Sequence, residues 1–388
     1  MSKQTLVRIT TVPLSLEKLL TGQLHFMSSF YNIIAVSSDS KRLEKYGEQE
    51  KVAVFSLEMT RQITPIKDAL AVLKLYFFLK KTKPFIVHTH TPKAGIVGML
   101  ASKFAGVPNR LHTVAGMPLL EQVGLKRKIL DFVEKLTYSC ATKVYPNSFK
   151  MRDLIIENAY CSSTKLKVLG NGSSNGIDTS YFNNSHFSEQ DKDNLKLELG
   201  ILPTDFVFVF VGRIVADKGI NELIAAFIDI QKLRKEVKLL LVGPFEQELD
   251  PLNQETLNQI TSNKSIISVG YQLDVRPYFS IANSLVFPSY REGFPNVVMQ
   301  AGAMGLPCIV TDINGCNEII EDKKNGCIIP VKNQKAILES MINFIDDKKQ
   351  FLEMQQNARA MIVSRFDQQL MWDTILQEYR SFDTKIIR

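Results

Sequence analysis

Along the chain, short runs of β-branched and apolar residues alternate with longer stretches in which apolar residues return every three or four positions. "LVRITTV" (6–12), "NIIAVSS" (32–38), "FIVHTHT" (85–91), "RLHTVAG" (110–116) and "KVYPNS" (143–148) read as strands. Between them, helical patterns are expected near 15–30, near 66–82, over 94–108 with Gly106 and Pro108 closing it, and as a basic helix over about 124–141. Residues 183–200, "NNSHFSEQDKDNLKLELG", are polar and poor in strand formers, which marks a linker and the one segment where disorder is expected. A second series follows. The uninterrupted "FVFVFVG" (206–212) fits a strand covered on both faces, then comes a helix over 219–233 and strands at 237–243, 266–271, 284–289 and 307–312. A last helical pattern (366–382) sets Leu370, Met371, Ile375 and Tyr379 at roughly helical spacing around the only tryptophan, Trp372.

Strands alternating with helices imply parallel pairing through right-handed crossovers. The expected fold class is therefore α/β, with two Rossmann-like domains in tandem. These are an N-terminal domain over 1–182, a C-terminal domain over 183–365, and a C-terminal helix over 366–388 packing back on the first. The length of 388 residues and 45% hydrophobic content suit two cores rather than one. Ligands of such sheets bind beyond the carboxyl ends of the strands, so chemistry is expected in a cleft between the domains.

Other classes recede. The start "MSKQTLVRITTVPLS" lacks the pattern of a secretory leader, and the expected location is cytoplasmic. Five cysteines with no C-x-x-C pair read as reduced thiols, and no Cys/His spacing suggests a metal. The most apolar run, "ALAVLKLYFFL" (69–79), is too short to span a bilayer. It reads as a buried helix, with a membrane-facing helix as the alternative because Lys80, Lys81 and Lys83 follow it. No dinucleotide-binding, P-loop or nucleophile-elbow fingerprint follows any strand. Charge is uneven: residues 1–182 hold 25 Lys and Arg against 13 Asp and Glu, whereas 183–388 hold 22 against 27. A basic first half fits an anionic neighbour, nucleic acid or an anionic membrane surface, or simply a solvated basic surface.

Candidate chemistry begins at "REGFPNVVMQAGAMGLPCIV" (291–310). Glu292 lies past a strand end, and the Gly293-Phe294-Pro295-Asn296 turn feeds a helix that Gly305 stops. A helix starting there aims free N–H groups and its positive dipole end at the ligand edge, which makes an anion site. In "VGRIVADKG" (211–219), Arg213 and Lys218 flank another loop of that sheet and can balance a diphosphate.

"GRIVADKG", "EGFPNVVMQA" and "GLPCIVTDINGCNEII", with "HTHTPKAG" (88–95) and "NGID" (175–178), resemble glycosyltransferase family 4, the retaining nucleotide-sugar transferases of the GT-B fold. The resemblance runs over nearly the whole chain. It implies that Arg213 and Lys218 neutralise the donor diphosphate, that Glu292, the first acid of a Glu-x7-Glu motif, contacts the donor sugar, and that Gly293, Phe294, Pro295 and Asn296 hold sugar and phosphate. Glu318 matches an acidic position in the loop after the donor helix.

Two positions depart from the family pattern. Gln300 stands where the second Glu usually contacts the ribose, and Ala115 stands where many relatives have a histidine near the reacting sugar. His112 is the nearest imidazole, although two to three residues along a strand can place it on another face. His88 and His90 share one strand face and, with Lys93, are candidates for an acceptor phosphate site; a structural role is the other reading of these histidines.

The resemblance implies a metal-independent transferase with no cofactor. It would move a sugar from a nucleotide-diphosphate donor, a UDP-sugar, to a hydroxyl with retention, and the basic first half, with Lys126, Arg127 and Lys128, suggests as acceptor an undecaprenyl-diphosphate-linked saccharide, as used in capsule, O-antigen or exopolysaccharide synthesis. Its partners would be that nucleotide sugar, the lipid-linked acceptor and, through Lys126, Arg127 and Lys128, the anionic inner face of the plasma membrane, with no nucleic acid. A UDP-sugar epimerase of similar fold and a non-catalytic partner of a transferase are the alternatives.

Overall fold

The computed structural model describes residues 3–60, 62–117, 119, 122–246, 248 and 250–383. The chain divides into two units, one running to Gly176 and taking back the chain from Gln369, the other spanning Ile177–Gln368. The division falls at Gly176/Ile177, ahead of the position 183 suggested by composition.

In the first unit the order is β1 (Thr5–Ile9), α1 (Pro13–Leu19), α2 (Gln23–Ser28), β2 (Asn32–Ser37), α3 (Ser40–Glu50), β3 (Ala53–Ser56), α4 (Pro65–Thr82) and β4 (Ile86–His90). Then come α5 (Pro92–Ala105), β5 (Asn109–Val114), α6 (Gly124–Cys140), β6 (Lys143–Pro146) and α7 (Phe149–Glu157). The second unit holds α8 (Glu189–Glu198), β7 (Phe206–Val211), α9 (Ile220–Leu233), β8 (Val237–Val242), α10 (Gln254–Ser262), β9 (Ile266–Ser268), α11 (Arg276–Ser280) and β10 (Ser284–Phe287). It continues with α12 (Asn296–Ala303), β11 (Cys308–Thr311), α13 (Cys316–Ile319), β12 (Gly326–Ile329), α14 (Gln334–Asp346) and α15 (Lys348–Phe366), and α16 (Gln368–Asp383) returns to the first unit.

Each unit is a six-stranded sheet, ordered β3-β2-β1-β4-β5-β6 and β12-β11-β10-β7-β8-β9, and every strand pair is parallel. Both sheets are covered on both faces. In the first, Val7, Ile9 and Val87 meet a core shared with α4, α5 and α6, while Leu6, Ala35 and Ile86 meet a second core shared with α1, α2, α3 and α16. Trp372 of α16 donates to Asn175 Oδ1 at 2.7 Å, and Asn175 in turn donates to the Thr21 carbonyl at 3.0 Å. In the second unit, β7 is buried from Val207 onward, as its unbroken apolar run requires.

Two expectations fail. Residues 183–200 are not a bare linker: Ser188 and Asp191 form a reciprocal capping box that starts α8. The run over 69–79 is a helix but not a buried one. Ala71, Leu75 and Leu79 face the core, whereas Leu70, Leu73 and Phe77 are exposed.

Candidate active site

In the second sheet the chain leaves β7 toward β8 on one side and reaches β10 on the other. This is a topological switch point, where the loops after two neighbouring strands part and leave room for a ligand. The loop after β7 carries Arg213 and a 3-10 turn, Ala216–Lys218; the loop after β10 carries Glu292 and leads into α12.

The two loops are pressed together. Gly219 adopts left-handed backbone at φ 71°, and a Cβ there would lie 2.2 Å from the carbonyl oxygen of Pro288, so only glycine fits. Tyr290 donates its amide to the Asp217 carbonyl at 2.9 Å, and Arg291 forms an ion pair with the Asp217 carboxylate at 2.9 Å. Within this frame Lys218 Nζ meets Glu292 Oε1 at 2.5 Å, and Ser289 Oγ donates to the same oxygen at 3.1 Å. Both charged side chains are mostly covered yet keep some exposure, 14% and 18%.

The turn between Glu292 and α12 is held from the next loop. Asn314, following β11, donates its side-chain amide to the carbonyls of Glu292 and Gly293. Gly315 approaches so closely that a Cβ would stand 2.7 Å from the Gly293 oxygen. Phe294 packs against Phe366, with ring centroids 5.5 Å apart, Pro295 is buried, and Asn296 is exposed. Pro295 is the N-cap of α12 and its carbonyl accepts from the Val298 amide at 3.2 Å, but among the described residues no side chain caps the helix. A cation, a carboxylate and a positive dipole end thus gather at one sheet edge. Chemically, that set can hold a phosphate while a carboxylate contacts hydroxyls nearby.

The remaining candidates sit around this centre. Arg213 does not touch Glu292; its guanidinium pairs with Glu246 at 2.8 Å, which raises its pKa further, and Glu246 is a partner that sequence reading missed. Gln300 is half-buried on α12, and Glu318, also half-buried, lies on the short α13 with its amide bonded to the Gly315 carbonyl at 3.2 Å. Cys316, close to Glu292, is fully buried, and burial pushes its thiol well above the usual range. All five cysteines are free.

The first sheet has its own switch point, between β1 and β4. Here His88 and His90 do share a face, their rings stacked with centroids 4.5 Å apart, and both are buried. What the sequence did not reveal is Arg8 on β1. It is buried beside them, donating to Gln23 Oε1 at 2.6 Å and to the Tyr379 hydroxyl, and lying 2.9 Å from His90 Nε2. Since an arginine only donates, His90 Nε2 is the acceptor and its proton sits on Nδ1. Burial, followed by the charge of Arg8, pushes both histidines well below their usual pKa.

A cavity of only about 10 Å³ lies among Arg8, His88, His90, Thr113 and Asn147, room for about one water and not for a phosphate. Lys93, grouped with these histidines in the sequence, forms an ion pair with Asp68 on α4. His112 faces away from His88 and His90, packed over Gly95 of α5 and bonded to Thr89 Oγ1 at 2.8 Å, with burial bringing its pKa down to about 4. Among the described residues no group of three or more His, Cys, Asp or Glu could hold a metal ion, and no helix is long and apolar enough to cross a membrane.

Comparison with known proteins agrees with this geometry. Residues 191–361 match the family described as glycosyl transferases group 1, and residues 32–172 match a glycosyl transferase 4-like domain. The chain is 33% identical over 386 residues to the capsular polysaccharide biosynthesis glycosyltransferase CapM of Staphylococcus aureus, covering 98% of each chain. It is 30% identical to a UDP-Gal:alpha-D-GlcNAc-diphosphoundecaprenol alpha-1,3-galactosyltransferase of Escherichia coli, covering 87% of this chain and 86% of that one. Its fold matches Anabaena Alr3699/HepE, solved with UDP and glucose, with a TM-score of 0.79 at 18% identity over 97% of this chain and 100% of that one. The paired sheets, the switch-point constellation and these matches over both halves lead to one assignment: the chain belongs to the family 4, group 1 glycosyltransferases and has the GT-B fold.

Proposed function

We propose that this glycosyltransferase moves a sugar from a UDP-sugar to a hydroxyl of a saccharide carried on undecaprenyl diphosphate, with retention at the anomeric carbon, in capsule or related polysaccharide assembly. The observation that carries the reading is the contact of Lys218 with Glu292 beside the uncapped start of α12, at the switch point of the second sheet. The names of the Escherichia coli relative and of the Anabaena structure support uridine as the base and a diphospholipid-linked saccharide as acceptor.

In this reading the donor diphosphate takes Lys218 from Glu292, and the α12 amides and Arg213 share the charge that develops as the sugar–phosphate bond breaks. Glu292, relieved of its cation, turns to the sugar hydroxyls or offsets positive charge at the anomeric carbon. Retention follows if the leaving phosphate itself takes the acceptor's proton on the same face. No metal or cofactor enters, because the cations and the helix dipole supply the positive charge. Asn314 acts as a positioning residue that fixes the carbonyls flanking the turn. Gln300 and Glu318 are assigned to the nucleotide side.

The epimerase reading gives way to the family assignment, and with it the reading as a non-catalytic partner. The decisive experiment is a donor screen. UDP-, GDP- and ADP-sugars are tested for thermal stabilisation, and the hit is supplied with an undecaprenyl-diphosphate-linked saccharide. Stabilisation by a UDP-sugar and acceptor-dependent transfer are expected; stabilisation by another base only, or sugar interconversion without acceptor, would overturn the reading.

A further inference from the structure

Beyond their ends, β7 and β8 stay in register. The amide of Gly212 donates to the Val242 carbonyl at 2.9 Å, that of Ile214 to the Pro244 carbonyl at 2.8 Å, and Ile214 bridges Phe245 as a parallel partner. The pairing of Val211 with Val242 therefore runs on into both loops and sets Arg213 beside Pro244. Side chains two apart on an extended segment share a face, so Glu246 emerges on the side of Arg213. Ile214, which alternates with them, is fully buried. The meeting of Arg213 with Glu246, 33 residues apart in the chain, thus follows from backbone pairing.

The contact is one-sided. Arg213 Nη1 donates to Glu246 Oε2 at 2.8 Å, and among the described residues Nε and Nη2 donate to no protein group. Both side chains keep solvent access, 43% for Arg213 and 33% for Glu246. A guanidinium held at one corner still offers its Nε–Nη2 edge, a fork that can meet two phosphate oxygens. The carboxylates around it decide where that fork points. The pKa of Arg213 is raised first by the bond to Glu246, against partial burial, and then by the charges of Asp217 and Glu292. Those two acids already hold Arg291 and Lys218. Without Glu246, a long exposed side chain would regain its rotamer freedom, and the remaining negative charges would draw it onto Asp217 or Glu292.

We infer that Glu246 is a positioning residue for donor binding: it anchors Arg213 by one N–H and turns the opposite edge of the guanidinium toward the diphosphate. The inference rests on the proposed function, which puts the diphosphate at Arg213. Glu246 itself touches no substrate and acts through the arginine. The test compares Glu246→Ala, Glu246→Gln, Arg213→Ala and the double variant Arg213→Ala/Glu246→Ala in the full chain. Two quantities are read: kcat/KM for the UDP-sugar with the lipid-linked acceptor, and calorimetric binding of UDP, GDP and ADP. Glu246→Ala should lower both kcat/KM and diphosphate affinity about tenfold. Glu246→Gln, whose amide oxygen still accepts from Nη1, should recover to within about threefold of the parent. In the Arg213→Ala background, loss of Glu246 should change either quantity by less than about twofold, because no guanidinium remains to be aimed. The pair is partly exposed, so the melting temperature should hold throughout.

Additive losses in the double variant would overturn the inference, because Glu246 would then act apart from the arginine. So would tighter diphosphate binding in both Glu246 variants, which would make the carboxylate a competitor of the phosphates. A fall in melting temperature that accounts for the lost activity would overturn it too. Non-additive losses read with GDP or ADP alone would sink the uridine donor and leave Glu246 in its role. Transfer from a UDP-sugar by a Glu246→Ala variant as active as the parent would do the reverse.

Discussion

The two sheets share a topology but use their switch points in opposite ways. At β1/β4 a guanidinium and two imidazoles are sealed in the core, with no carboxylate among the described residues in contact with Arg8 and space for about one water. At β7/β10 an ammonium and a carboxylate meet in a mostly covered pair, each still reachable by solvent. Sealed polar groups are expensive to disturb, because each lost partner leaves another group unsatisfied. An ion pair that keeps solvent access can instead exchange one partner for an arriving charged group. The comparison therefore fits cohesion at the first constellation and the proposed chemistry at the second.

The sharpest test of that division is Glu292→Ala. Transfer should fall by about a hundred- to a thousandfold, in line with the loss of one transition-state contact, while the melting temperature hardly moves. A variant that unfolds instead would erase the contrast. Arg8→Ala should do the opposite, costing about 3 kcal/mol in denaturant unfolding, since it opens a void and takes the donor from Gln23 Oε1 and His90 Nε2.

Acid should also act on the first constellation. His112 has its pKa lowered from 6.5 to about 4, and His88 and His90 are lowered too. Between these values the unfolded chain binds protons that the folded chain refuses, so stability falls as pH drops through that window. His112 alone accounts for about 3 kcal/mol by pH 4. Glu134, whose pKa burial raises, works in the opposite sense just above pH 4.5. Urea midpoints measured from pH 7 down to 4 check the sign, and a flat profile would contradict the buried neutral histidines. The smallest effect is expected from Gln300→Glu: if position 300 meets the ribose as proposed, a charged acceptor there should tighten donor binding by about 1 kcal/mol, nearly tenfold, in calorimetry.

Legibility followed the same divide. The central strands of the second sheet were readable because a strand covered on both faces must be apolar throughout, and "FVFVFV" is. Lys218 and Glu292 were readable because they flank loops at strand ends. Of the four edge strands, β6 and β9 were read, but β3, "AVFS", which is only half-buried, and β12, "GCII", which is brief, were not. Arg8 was hidden by its own pattern. In "LVRITTV" it alternates with Val7 and Ile9, as a solvent-facing residue does, and only α16, arriving from the far end of the chain, supplies the Tyr379 hydroxyl it bonds. The Ser188-x-x-Asp191 pattern that starts α8 was present in the polar stretch but was outweighed by composition. The α4 segment was misread because a run of leucines and phenylalanines gives hydrophobicity without direction.

The Lys218–Glu292 contact also bears on selectivity. A cation already engaged by its own carboxylate is a poor trap for stray phosphate, because any anion must first compete with that neighbour. A ligand that brings a phosphate for the ammonium and hydroxyls for the released carboxylate would satisfy both groups at once, so the same self-pairing would screen out inorganic anions and admit the proposed donor, a sugar joined to a diphosphate.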